Sequence, residues 1–196
     1  MIKKTVKSQA RQRIVETAER LFYSEGIRAV GIDRIIAESE VAKMTLYNHF
    51  ASKDDLILAV LEYREEKFDG MFEKWMQRHL KKGLSGLEAF FAALKDWFKS
   101  TGFRGCAFIN ATVELADASH AATQFSAKHK ERFRDRLSEI ISESYDADTA
   151  AELASAIALM VEGAIITAVM QQKPNAADIA RDAALTLVSK KQKRKR

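Results

Sequence analysis

From Lys43 to His49 the chain sets an ammonium, a hydroxyl, a phenol, a carboxamide and an imidazole close together, with the bulkier Met44 among them. At helical spacing Lys43, Thr45, Tyr47, Asn48 and His49 share an outward face, while Leu46 and Phe50 turn the other way. Such a face suits the base edges and phosphates of a DNA major groove, which is wide enough to admit a helix. A carboxamide pairs bidentately with adenine and an ammonium donates to guanine, so Lys43, Thr45 and Asn48 are placed for base edges. Met44 is placed to touch a thymine methyl or to pack.

A helix this short is not stable by itself, so its neighbours must position it. Ile32, Ile35 and Ile36 lie at helical spacing just before it, with Val41 in the turn between; Gly31 to Phe50 therefore reads as two short helices joined tightly. Ahead of them, Ile14, Ala18, Leu21 and Phe22 form one apolar stripe over Ser8 to Ser24, stopped by Gly26. Behind them, Ser52 and Asp55 have the spacing of a capping box and open a long helix from Lys53 toward Leu80, with Gly70 as a candidate kink. After Gly83 and Gly86, helical patterns over about 84–100, 106–115, 121–145, 149–172 and 176–188 bring the count to nine. A single proline and eight glycines argue against a sheet protein. The expected fold is all-α: a helix-turn-helix DNA-binding domain over 1–52, a helical effector-binding and dimerisation domain over 53–189, and a disordered basic tail over 190–196.

The net charge of +5 is concentrated at the ends. Lys190 to Arg196 hold six positive charges, and Lys3, Lys4, Lys7, Arg11 and Arg13 make the start basic; the middle is slightly acidic. Both ends suit a polyanion. Cys106 is the only cysteine, which excludes an internal disulfide. No stretch has a signal-peptide layout, and the apolar run from Ala154 to Met170 contains Glu162 and much alanine, so it reads as a buried helix rather than a membrane span. A reducing cytoplasm is the expected compartment. There is no glycine-rich phosphate loop, and the four histidines form no zinc motif. Glu114, Asp117 and His120 step by three and drift around a helix, so neither a metal site, a cofactor nor an enzyme activity is expected.

Residues Arg11 to Leu61 resemble the N-terminal domain of the TetR family of transcriptional regulators. The resemblance rests on the helix ending at Gly26, on Ile35-Ile36-Ala37, on Val41-Ala42-Lys43, on Thr45-Leu46-Tyr47-Asn48-His49-Phe50, and on Ser52-Lys53-Asp54-Asp55-Leu56. It implies a dimeric, ligand-responsive repressor with a variable C-terminal domain. It also places Tyr47, His49 and Lys53 at phosphate-contacting positions, and their chemistry agrees. Arg34 and the Lys3–Lys7 arm are further candidates for the DNA backbone or an adjacent minor groove. Two residues depart from the pattern: Ser39-Glu40 stand where the family usually has Ala-Gly, and Met44 where it usually has a small residue. Glutamate in that turn implies strain or an altered turn, and it is expected to point away from phosphate.

In the second half, 149–172 is apolar around nearly its whole circumference, so one side is expected to face its own domain and the other a second subunit. With 176–188 it would complete a four-helix interface across a two-fold axis, making a homodimer on a palindromic operator in double-stranded DNA. Phe90, Trp97, Phe108, Asn110, Glu114, His120 and Met160 are candidates for the pocket of an unidentified small-molecule effector. Glu162 must reach solvent, pair with a base across the dimer or face that cavity. Cys106, near a helix N-terminus, is a candidate redox sensor. The rival reading is a non-specific architectural DNA binder driven by the basic tail.

Overall fold

The computed structural model describes residues 8–194, with side chains through Lys191. The Lys3–Lys7 arm lies outside the described residues. Helices in chain order are α1 (Gln9–Glu25), α2 (Ile32–Ser39), α3 (Lys43–His49), α4 (Lys53–Leu80), α5 (Gly86–Phe98), α6 (Ala107–Leu115), α7 (Ala121–Ser142), α8 (Ala147–Gln171) and α9 (Ala176–Arg194), with no strand among the described residues.

Local chemistry explains most of the boundaries. Gly26 ends α1 at φ 99°, its N–H donating to the Phe22 carbonyl. Ser52 and Asp55 form the expected reciprocal cap: Ser52 N–H donates to Asp55 Oδ2 at 3.0 Å, and Asp55 N–H to Ser52 Oγ at 3.0 Å. α4 runs unbroken through Gly70. Ser85 and Glu88 make a second capping box, which moves the start of α5 from the expected Leu84 to Gly86. Asp146 accepts the Thr149 N–H at 2.9 Å and starts α8 two residues earlier than its apolar pattern does.

Two compact units emerge, and they do not divide at residue 52. The first is the chain up to Lys67 together with Ala107–Ala127; the second is Phe68–Cys106 with Lys128 onward. Three short helices bury too little apolar surface to stand alone. In the first unit Ile14, Leu21, Val30, Ile35 and Leu46 are fully buried, and Leu56 and Ile57 of α4 and Phe108 and Ala111 of α6 complete the same core. The second unit is built on aromatic rings. Phe90 packs against Phe72, Phe91 and Phe133 with centroids 5.2, 5.5 and 5.7 Å away. Trp97 meets Phe68 at 4.8 Å and Phe103 at 5.2 Å, both edge-on. Gly105, at φ 84°, lies so close to α8 that a Cβ there would fall 2.9 Å from Val169 Cγ2.

α8 and α9 pack together, and α9 packs on α5. α8 is long and apolar enough to cross a bilayer by length and composition alone. Leu153, Ile157, Val161 and Ile165 bury its inner face, while Leu159 (75% exposed) and Met170 (79%) stand out on the other side, as does Ile179 (66%) on α9. The expected end of the ninth helix at Val188 is corrected: α9 continues to Arg194, so most of the supposed disordered tail is helical. Lysine, glutamine and arginine are good helix formers, cations suit a helix C-terminus, and Lys191 pairs with Glu152 of α8.

Candidate nucleic-acid interface

The turn between α2 and α3 takes its shape from Glu40. Its backbone is left-handed (φ 53°, ψ 46°); the Glu40 N–H donates to Ala37 O and the Val41 N–H to Ile36 O, each at 3.4 Å. This is a Schellman ending with glutamate where glycine is usual. Ser39 is buried, and its hydroxyl donates to the Ile35 carbonyl at 2.6 Å, so the residue before the turn consumes its own polar group. Val41 is half-buried beside this turn.

α3 is pinned from beneath by Leu46 and Phe50, and the Arg11 guanidinium covers the Phe50 ring at 5.2 Å. Above, Lys43, Met44 (69% exposed), Tyr47 (43%) and Asn48 face solvent, and Thr45 and His49 are half-buried. Lys43 reaches only a loose 3.5 Å ion pair with Asp33, and His49 Nε2 lies 3.4 Å from the Ser8 hydroxyl. The structure therefore brings six of the expected DNA-facing residues, Lys43, Met44, Thr45, Tyr47 and Asn48 with His49 at the edge, onto one surface of α3.

The other two are engaged elsewhere. Arg34 is clasped by Glu25 and by Glu38, which also holds Arg20, and the hydrogen bond to Glu25 is the leading cause that raises its pKa above the ordinary guanidinium value. Lys53 turns inward: its Nζ donates to the Ile27 carbonyl at 2.6 Å and sits 5.7 Å from the Phe22 ring centroid. Burial lowers its pKa against the opposing charges of Asp54 and Glu114. Without DNA, Lys53 is thus engaged with the loop after α1 rather than presented beside α3; no sequence pattern signals a contact to a carbonyl in a preceding loop.

The expected effector residues fall in two places. In the first unit, Phe108 is buried with Phe125 at 6.3 Å, and Asn110 and Glu114 line a cavity against α1 and α4. His120 accepts the Ala122 N–H at Nδ1, which leaves its Nε2 as the donor, 3.4 Å from Asp54. In the second unit, Phe90 and Trp97 belong to the aromatic core and Met160 is half-buried on α8. Glu162 pairs with a base of its own chain rather than one across a dimer: Lys130 Nζ donates to its Oε1 at 2.6 Å, while its Oε2 is buried with no partner among the described residues. Lys130 also bonds the buried Cys106; burial works to lower the lysine pKa, but Cys106 and Glu162 outweigh it and raise the value. Sequence spacing gave no sign of this Cys106–Lys130–Glu162 cluster, whose members come from three separate segments.

Comparison with known proteins places these features. Residues 14–60 match the domain of the bacterial regulatory proteins of the tetR family, and residues 84–183 match the C-terminal domain of LmrA/YxaF-like transcriptional regulators. A TetR-family transcriptional regulator from Streptomyces coelicolor is 32% identical, with a TM-score of 0.79 over 92% of this chain and 95% of its own. A TetR regulator from Legionella pneumophila shares the fold at 20% identity and TM-score 0.74, over 92% of this chain and 97% of its own. The HTH-type transcriptional repressor ComR of Escherichia coli is 27% identical over 61% of this chain, and an HTH-type regulator of Staphylococcus aureus is 38% identical over 33% of it. The matched segments span 58% and 35% of those two relatives.

Proposed function

The chain belongs to the tetR family of bacterial regulatory proteins, and from that premise we propose that it is a cytoplasmic, ligand-responsive repressor that binds a palindromic operator as a homodimer. The observation that carries this reading is α3: a helix with a buried apolar underside and an exposed face of Lys43, Met44, Thr45, Tyr47 and Asn48. Lys43, Thr45 and Asn48 read base edges, Met44 meets a thymine methyl, and Tyr47 and His49 hold phosphates. Arg34 joins them only by releasing Glu25 or Glu38. The exposed apolar residues Leu159, Met170 and Ile179 on α8 and α9 support the dimer, since a monomer rarely leaves such side chains in water together.

In this mechanism the dimer fixes the distance between two α3 helices, and effector binding favours a spacing that no longer matches successive grooves. α4 contributes to both units and carries the change. The effector acts only through its different affinity for the two states. Selection of bound duplexes from a random pool, with full-length protein, is the decisive test. A two-fold symmetric site with strong discrimination is expected. Weak discrimination, with binding lost when Lys190 to Arg196 are removed, would establish the architectural reading instead.

Cys106 supports a second, redox-responsive reading, because its thiol is paired with the Lys130 ammonium. A peroxide would take the thiol to a sulfenic acid with release of water and break that pairing. Loss of operator binding on peroxide treatment, spared in Cys106→Ser, is expected; equal binding by both treated proteins would remove the redox role.

A further inference from the structure

Lys43, the first residue of α3, does not stand alone on the outward surface of the helix pair. Its Nζ lies 3.5 Å from Oδ1 of Asp33, in the first turn of α2. Both side chains are exposed, and neither has another polar partner among the described residues. The neighbouring cation of α2, Arg34, is turned into its clasp with Glu25 and Glu38, so it is Asp33 that α2 offers beside Lys43. The helix dipole favours a carboxylate in that turn, but it does not direct the carboxylate toward a lysine on the next helix. Against a polyanion a bare carboxylate is repelled; the ammonium cancels its charge, and the two groups approach a groove as a neutral donor–acceptor unit.

Such a unit has a complement in the major groove. A G·C pair shows there, in a row, guanine N7 and O6 as acceptors and the cytosine N4 amine as donor. O6 and N4 are bonded to each other, so they lie about 3 Å apart, close to the spacing of the ammonium and the carboxylate. An A·T pair sets its donor, adenine N6, between two acceptors, so an ammonium beside the carboxylate finds one acceptor instead of two together. With the G·C pair reversed, the carboxylate meets guanine O6 and the ammonium meets the amine, and both contacts are repulsive.

We infer that Asp33 is a specificity-determining residue: with Lys43 it reads one oriented G·C pair in each half-site, the ammonium bridging guanine N7 and O6 and the carboxylate accepting from cytosine N4. This inference rests on the repressor reading, in which α3 enters the major groove. Asp33 then adds discrimination rather than general affinity for DNA, because its charge is favourable only where a base amine meets it.

The test uses full-length protein and the duplex selected by the wild type from a random pool. Lys43→Ala identifies the position in each half-site that depends on Lys43. At that G·C pair cytosine is replaced by N4-methylcytosine, which still pairs with guanine but carries a methyl where the amine N–H faces the major groove. Both duplexes are titrated by fluorescence anisotropy against the wild type and Asp33→Ala, an exposed substitution whose folding is checked by thermal melting. The wild type should bind the methylated site about tenfold more weakly, the worth of one charge-assisted hydrogen bond. Asp33→Ala should bind the two duplexes equally. An unaffected wild type, an equal loss in both proteins, or uniformly tighter binding of every duplex by Asp33→Ala overturns the role of Asp33. A preferred site with no G·C pair at the Lys43-dependent position overturns it too, and leaves the repressor reading standing. If the wild type selects no preferred sequence, both readings fall together.

Discussion

The Lys53 ammonium donates to the backbone carbonyl of Ile27, which ties the first turn of α4 to the loop between α1 and α2. A phosphate-binding lysine releases a counterion on binding DNA, and its removal flattens the salt dependence by about one unit of slope. A loop anchor does not. Lys53→Met should therefore leave the slope of log K against log salt unchanged while lowering stability by about 1–2 kcal/mol, the cost of an orphaned, partly buried carbonyl. Parallel salt titrations and thermal melts of the two proteins check this.

Lys43 and Tyr47 stand on the exposed face of α3 and should separate into two behaviours. Lys43→Ala should change which base is preferred at one position in each half-site, with a loss of about 1–3 kcal/mol for the best sequence. Tyr47→Phe should weaken all duplexes alike, because a phosphate contact carries no sequence information. Binding measured across a panel of single-base variants distinguishes them.

Glu40 holds a left-handed backbone at the turn of the helix pair. Glycine relieves the Cβ strain but loses more entropy on folding, so Glu40→Gly should stabilise the protein by a net of about 0.5–1 kcal/mol. Glu40→Val should destabilise it by more, since a β-branched side chain tolerates that conformation least. Chemical denaturation of the three proteins gives the order Gly, Glu, Val.

Asp96 of α5 meets both His79 and Arg78 at the end of α4. Burial works to raise its pKa, but the hydrogen bonds from His79 and Arg78 win and hold it below the ordinary aspartate value. A carboxyl whose folded pKa is depressed adds stability above its unfolded pKa of about 3.9, and that stability is lost as pH falls through the lower folded value. The wild type should thus weaken below about pH 4 through this pair. Asp96→Asn should be less stable at neutral pH and show a shallower decline over the acidic range, as followed by denaturation at a series of pH values.

The outward side chains of α8 and α9 give the fifth expectation. Met170→Glu with Leu159→Glu should convert a dimer to monomer in sedimentation and weaken operator binding, because each half-site alone makes half the contacts. A monomeric wild type would exclude the proposed interface.

The helix pair was legible because its signals are local. Ile35, Leu46 and Phe50 declare the buried face by spacing, and Gly26 and Ser52-Asp55 mark the ends by their own backbone chemistry. What stayed hidden depends on residues far apart in the chain. Nothing near Lys53 announces Ile27, nothing near Arg34 assigns it to Glu25 over a phosphate, and Glu114 bonds a backbone amide 86 residues away. The α9 extension was missed for a different reason: lysine and arginine favour a helix as readily as they mark a solvated tail, and the pairing of Lys191 with Glu152 favours the helix.

Gly105 shows how little freedom one position can have. Its φ of 84° disfavours any side chain, and the 2.9 Å approach of Val169 Cγ2 leaves no space for a methyl group. Gly70, with nothing within 4 Å of an added Cβ, carries neither constraint. Mutational tolerance along the chain is therefore uneven in a way glycine content conceals: Gly70 is open to drift, whereas Gly105, directly before Cys106, is a closed position whose replacement would move the thiol with it.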